Sequence, residues 1–167
     1  AWIWEHQALT RARFCAGNAE VGARFEALRT AVLCQTRAHE PLRTEVLAMR
    51  QKMRDAFANK GEGFELKHDA GGLIDVEFIV QYLVLAHAHE YPALAENKGN
   101  IALLQRCAAA GLIPADLAQQ AGNAYRAMRH AQHELRLNQQ TSRVFDDRLD
   151  AARTLAAAAR GELLQPD

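Results

Sequence analysis

Two acidic side chains stand in an unusually apolar stretch. From Leu73 to Leu85 the polar residues are Asp75, Glu77 and Gln81, with Tyr82 as an amphipathic fourth; the rest is Leu, Ile, Val and Phe. A helix that is apolar almost all round belongs in the middle of a bundle. Its carboxylates are then at least partly buried and need partners. At about 100° per residue, Glu77 and Gln81 share one stripe while Asp75 lies roughly 160° from Glu77, so the two acids face different partners. By charge logic the cations available are Arg11 and Arg13 on a first helix and Arg50 and Arg54 on a third, the latter pair sharing a face at i, i+4. Such a cluster serves as an interior ion-pair network that fixes helix register, or as the wall of an adjoining active site. The two readings are compatible if the cluster lies at the end of the bundle.

Just upstream is Glu65-Leu66-Lys67-His68-Asp69-Ala70-Gly71-Gly72. Gly71-Gly72 at a helix start would expose backbone N–H groups to an anion, with Lys67 adding charge. Asp75 in the same first turn opposes a phosphate there, and a plain tight turn with Asp75 answering the helix dipole is slightly favoured. No P-loop pattern is present. His130 and Glu134 stand at i, i+4 with His133 one turn from His130, but in neither zinc-protease spacing, so surface or packing roles are expected. Ser142 is the one serine and has no nucleophile context; Asp146-Asp147 reads as a helix start rather than a metal-binding pair. No catalytic or metal-ligating residue is assigned.

These residues must be positioned by helices. Ala, Leu, Arg and Gln abound, and long segments repeat near 3.6 residues. A first helix is expected from Trp2 to Cys15, ended by Gly17. Asn18 caps a second with Val21, Phe25, Leu28 and Val32 inward. Pro41 opens a third with Leu42, Val46, Met49, Met53 and Phe57 inward. Lys60–Gly72 is the main break, with Phe64–Lys67 extended. A fourth helix runs from Leu73 to His89, a fifth from Gly99 to Ala110, a sixth from Pro114 toward Gln140 with Leu117, Ala121, Ala124, Met128 and Leu135 inward, and an Ala-rich seventh from Asp146 to Arg160. The expected fold is all-α, an antiparallel up-and-down bundle of six to seven helices, as one domain over 1–167.

The formal net charge is zero, from 20 basic and 20 acidic residues, which argues against a nucleic-acid binder. Charge is uneven: residues 1–60 carry ten Lys/Arg against six Asp/Glu, and residues 61–97 one against seven. Arg126, Arg129, His133 and Arg136 give the sixth helix a basic stripe, usually a solvated face and otherwise a dock for an acidic partner. Three scattered cysteines and no apolar run of membrane length point to a reduced, cytoplasmic protein without membrane attachment. Trp2 and Trp4, large aromatics at the very start, suggest a piece of a longer chain.

The run Phe64-Glu65-Leu66-Lys67 followed by Gly71-Gly72-Leu73-Ile74-Asp75-Val76-Glu77-Phe78-Ile79-Val80-Gln81 resembles a motif of bacterial glutamine synthetase adenylyltransferases, with the helical domains of PII uridylyltransferases as more distant relatives. Trp2 to Arg13 resembles the segment that follows the nucleotidyltransferase domain there. The resemblance covers about Trp2 to Gln139 and leaves 141–167 with little signal. It implies a helical domain packed on an upstream catalytic domain, which would hold Mg²⁺ and ATP and transfer AMP to a tyrosine of glutamine synthetase. On its own this chain is then inactive. Lys67, Gly71, Gly72, Asp75 and Glu77 are the implied nucleotide-site wall or domain interface, with Arg11, Arg13 and Arg50 as further candidates by charge. Trp4-Glu5-His6-Gln7-Ala8-Leu9 resembles the adenylylating half; the alternatives are the deadenylylating half, or an interaction module for glutamine synthetase or the PII signal protein.

Overall fold

A computed structural model describes residues 2–164. Seven α-helices follow in order: α1 (Ile3–Leu9), α2 (Ala19–Leu33), α3 (His39–Ala56), α4 (Leu73–His87), α5 (Asn100–Ala109), α6 (Ala115–Leu137) and α7 (Asp150–Leu164). A 3-10 turn, Pro92–Ala95, precedes α5. Two short strands, β1 (Phe64–Glu65) and β2 (Arg143–Val144), pair antiparallel with Phe64 opposite Val144. The all-α expectation holds, and the extended stretch expected at Phe64–Lys67 appears as the shorter β1, Phe64–Glu65, paired with β2. No described helix is long and apolar enough to cross a membrane.

Helix α4 is the axis. Twelve of its fifteen residues are buried, Asp75 among them, and α3, α5, α6, α7 and α1 all pack on it. Each buried Leu, Ile, Val or Phe there removes apolar surface from water, a gain of about 1.5–3 kcal/mol per side chain. The sixth helix keeps its expected inward stripe: Leu117, Ala121, Ala124, Met128 and Leu135 are all buried.

Other boundaries move, each for a local reason. Helix α1 stops at Leu9, not Cys15, because Arg29 of α2 takes the carbonyls that would continue it: its Nε donates to Leu9 O at 2.8 Å and its Nη2 to Thr10 O at 3.1 Å. The same inserted side chain rotates α2. Gly22, Arg29 and Leu33 are buried, while Val21 and Leu28, expected inward, are 63% and 66% exposed. Gly22 is small because the Phe14 ring lies where its Cβ would go. Phe57, also expected inside, is exposed and stacks on His68 with ring centres 4.5 Å apart. Helix α7 begins at Asp150, not Asp146, because Asp146 Oδ1 accepts from the Arg148 N–H and holds a turn.

Candidate functional site

The break before α4 is a closed knot of hydrogen bonds. Gly71 has φ +78°, a left-handed conformation suited to glycine. Its N–H donates to Asp75 Oδ2 at 2.7 Å, and the Gly72 N–H to Asp69 O at 3.0 Å. The Leu73 and Ile74 N–H groups donate to Leu66 O and Lys67 O at 2.8 and 3.2 Å. The first N–H groups of α4 are thus consumed internally, so the tight-turn reading of Gly71-Gly72 holds and the helix end offers no anion cradle.

Asp75 is fully buried and is held by α3. Arg50 Nε donates to its Oδ1 at 2.6 Å, and Arg50 Nη2 donates to His68 O at 2.9 Å and Asp69 O at 3.3 Å. Arg160 of α7 stands 3.9 Å from Oδ2. This is the interior ion-pair arrangement: it ties α3, the Lys67–Gly72 turn, α4 and α7 together. Asp75, Arg50, Gly71 and Gly72 therefore lie inside the bundle and bear on the surface through the turn they shape.

Glu77 points elsewhere, as its angular offset from Asp75 requires. It accepts from Tyr125 Oη of α6 at 3.0 Å and lies 3.6 Å from Arg11 Nη1. Burial, then the Glu77 charge, pushes the Tyr125 phenol above its usual range. On its other side Glu77 opens into a groove of about 330 Å³ between α1, α3 and α4. Trp4, Gln7 and Ala8 form one wall and Met49 and Met53 another; Ile74, Glu77, Phe78 and Gln81 form the floor, with Lys67 at the edge. Gln7 Nε2 donates to Gln81 Oε1 at 2.9 Å. Lys67 is exposed and Glu77 about a quarter so. Of the eight candidates from sequence, Lys67 and Glu77 thus meet in one groove, with Arg11 beside Glu77. Arg13 is exposed and does not line it.

A second hollow of about 390 Å³ adjoins the groove through Trp4 and Met49, lined by Trp2, Ile3, Glu45, Ala48 and Lys52. Trp2 is 70% and Trp4 45% exposed. Their ring centres lie 5.8 Å apart, so the two form one exposed aromatic pair beside the hollow.

Sequence reasoning missed Gln7, Tyr125, Arg29 and Arg37. Gln7 stands at i+3 from Trp4, and Tyr125 is the aromatic residue on the buried stripe of α6; both signals were present in the pattern. Arg29 and Arg37 carried none. Arg29 Nη1 adds a 2.7 Å bond to Ala95 O, and Arg37 joins Leu33 O, Val32 O and Leu85 O while standing 3.3 Å from His6 Nδ1. Such carbonyl clamps depend on where distant backbone ends arrive.

The match to known proteins is specific. Residues 43–163 match the family model described as GlnD PII-uridylyltransferase. The chain belongs to the GlnD PII-uridylyltransferase family. Curated relatives named bifunctional glutamine synthetase adenylyltransferase/adenylyl-removing enzyme include that of Aromatoleum aromaticum, 60% identical over 153 residues, which is 92% of this chain and 16% of that enzyme. The Bordetella bronchiseptica enzyme is 57% identical over 82% of this chain and 15% of its own length. The Burkholderia mallei enzyme is 48% identical over 95% of this chain and 17% of its own length. The chain thus spans about one-sixth of these relatives. The family match runs through residue 163, so β2 and α7 belong to the family unit, beyond the Gln139 limit of the motif resemblance.

Proposed function

We propose that this chain is the helical part of a glutamine synthetase adenylyltransferase, packed against an upstream nucleotidyltransferase domain and closing one side of its nucleotide cleft. The observation that carries this reading is the exposed Trp2–Trp4 face running into the groove that displays Lys67 and Glu77. In this reading a neighbouring domain covers the tryptophans, and the groove edge turns toward the nucleotide.

The metal chemistry belongs upstream. Mg²⁺ needs carboxylate oxygens that are free to coordinate it. Asp75 spends its two oxygens on Arg50 and the Gly71 N–H, Glu77 answers both Tyr125 and Arg11 with Oε1, and no group of three His, Cys, Asp or Glu side chains placed to hold a metal ion occurs among the described residues. The acids here do not fit a magnesium site. ATP, Mg²⁺ and the attacking tyrosine of glutamine synthetase are therefore assigned to the catalytic domain, in the half that attaches AMP.

The test compares three chains: the upstream domain alone, this chain alone, and the two joined. Labelled AMP transfer to glutamine synthetase is expected only, or mainly, from the joined chain. Full transfer by the upstream domain without this chain would overturn the reading. A second reading, docking of the PII signal protein or of glutamine synthetase, is favoured by the exposure of Arg126, Arg129, His133 and Arg136 on α6. Charge reversal at Arg129 and Arg136 that leaves both associations unchanged would remove it.

A further inference from the structure

One face of α3 brings an unpaired acid to the exposed tryptophans. Glu45, Ala48, Met49 and Lys52 recur at i, i+3, i+4 and i+7, so they share one stripe of that helix. Trp2 and Trp4 line the same hollow of about 390 Å³. The planes of the two rings are tilted by 32° to each other. Trp2 is held through its backbone, whose N–H donates to Glu5 Oε2 at 2.7 Å, so Glu5 is engaged. Glu45 is not: it is exposed, and among the described residues it has no ion pair and no side-chain hydrogen bond. Glu40 on the same helix, by contrast, pairs with Arg43 at 3.0 Å.

The face of an aromatic ring is electrostatically negative, so two indoles beside a free carboxylate favour a cation over an anion or a neutral group. Arginine suits the hollow better than lysine. Its planar guanidinium stacks on an indole while its N–H fork reaches a carboxylate, and Trp and Arg are both enriched among the residues that anchor interfaces. Ala48 and Met49 give its aliphatic stem an apolar bed. Lys52 lines the hollow too and would repel a cation placed beside it. It stands seven residues, about 10 Å along the helix, from Glu45, and its exposed, flexible stem lets the ammonium turn out to water. The Glu45 end is therefore the seat for positive charge.

We infer that the hollow receives an arginine side chain from the domain that covers the tryptophans, its guanidinium against the indoles and its charge answered by Glu45. This rests on the reading above that a neighbouring domain packs here, and states what that domain must present. Trp2, Trp4 and Glu45 then form an interface anchor that serves docking and not the transfer chemistry.

The upstream domain and this chain, made separately, are mixed and their association is measured by calorimetry. Glu45→Gln is expected to weaken it at least about tenfold, because the guanidinium is left covered without its charge partner. Trp2→Leu and Trp4→Leu keep apolar bulk but remove the ring face, and should each weaken it several-fold. Lys52→Gln should leave the affinity unchanged or tighten it. Glu45 and Lys52 are both exposed, so these variants keep the fold, which helical circular dichroism checks. Weaker association in Lys52→Gln with none lost in Glu45→Gln would mean an acidic occupant and would overturn the inference. Affinity that depends on the tryptophans alone would mean a purely apolar cover, and affinity that depends on Glu45 alone would mean an ion pair away from the rings; each overturns it as well. In all three cases the domain-packing reading stands. No association up to about 1 mM would overturn that reading, and this inference with it.

Discussion

Arg50 and Asp75 meet at 2.6 Å with neither side chain more than 1% exposed. An ion pair so buried is costly to break one-sidedly, since the survivor keeps an uncompensated charge away from water. Arg50→Ala or Asp75→Ala is therefore expected to destabilise the chain by about 3–5 kcal/mol, read as a lower urea midpoint. The apolar double replacement Arg50→Leu/Asp75→Leu should recover part of that loss, because no orphan charge remains. A double variant weaker than the sum of the single changes would show that the bonds of Arg50 to His68 O and Asp69 O outweigh the ion pair.

Gly71 offers a sharper test of the turn. A Cβ at this position would sit 2.3 Å from Arg153 O, a backbone atom of α7, on top of the left-handed φ of +78°. The conformation alone costs a non-glycine residue roughly 1–2 kcal/mol, and the carbonyl cannot rotate away as a side-chain tip could. Gly71→Ala should lower thermal stability and detach α7 from the turn, seen as faster amide exchange in 150–160. An unchanged melting temperature would mean that α7 can shift freely.

Tyr125 and Glu77 link stability to alkaline pH. Burial first, and the Glu77 carboxylate second, hold the phenol above its ordinary value of 10.0. The folded state then binds the proton more tightly than the unfolded chain, so stability is full below pH about 10 and falls as pH rises from there through the folded value. Glu77→Gln should bring the Tyr125 titration down, though not to its ordinary position, because burial remains. Ultraviolet difference titration, with Tyr125→Phe to identify the signal, checks this.

The acid side follows His87. Its ring is pushed below the usual histidine value of 6.5 chiefly by burial and then by His39, whose ring centre is 4.9 Å away. Burial likewise lowers His6 and His68. The unfolded chain therefore takes up protons first as pH falls through 6.5, and stability present above that pH is lost below it. Urea midpoints should fall between pH 7 and about pH 5, and His87→Gln should reduce that slope.

How far the sequence is legible depends on the kind of signal. Helix α4 announced itself because an apolar run has one reading in a bundle, and the 160° offset between Asp75 and Glu77 correctly required separate partners. The stripe of α6 was legible for the same periodic reason. Helix α2 misled because Val21, Phe25, Leu28 and Val32 make a more apolar face than the one that is buried; the arrival of the Leu9, Thr10 and Ala95 carbonyls around Arg29 decided its rotation. The β1–β2 ribbon joins residues about eighty apart in sequence, a pairing that local periodicity cannot reveal. At the site, Lys67 and Glu77 came from the motif, whereas the carbonyl clamps of Arg29 and Arg37 needed the three-dimensional arrival of distant backbone ends.

Lys67 separates a binding role from a structural one. Its side chain is exposed at the groove edge, and the knot of bonds around it uses its backbone: its N–H reaches Glu65 Oε2 at 3.1 Å and its carbonyl receives the Ile74 N–H. Lys67→Ala keeps that backbone, so stability should change by no more than about 0.5 kcal/mol. In a chain joined to its catalytic domain the same change should lower AMP transfer, through the Michaelis constant for ATP if Lys67 holds a ground-state phosphate, or through kcat if it acts only in the transition state. Lys67→Arg, which preserves the charge, should recover much of the loss. Transfer kinetics unchanged in Lys67→Ala would remove this residue from the nucleotide site and leave the groove to its apolar walls and paired amides.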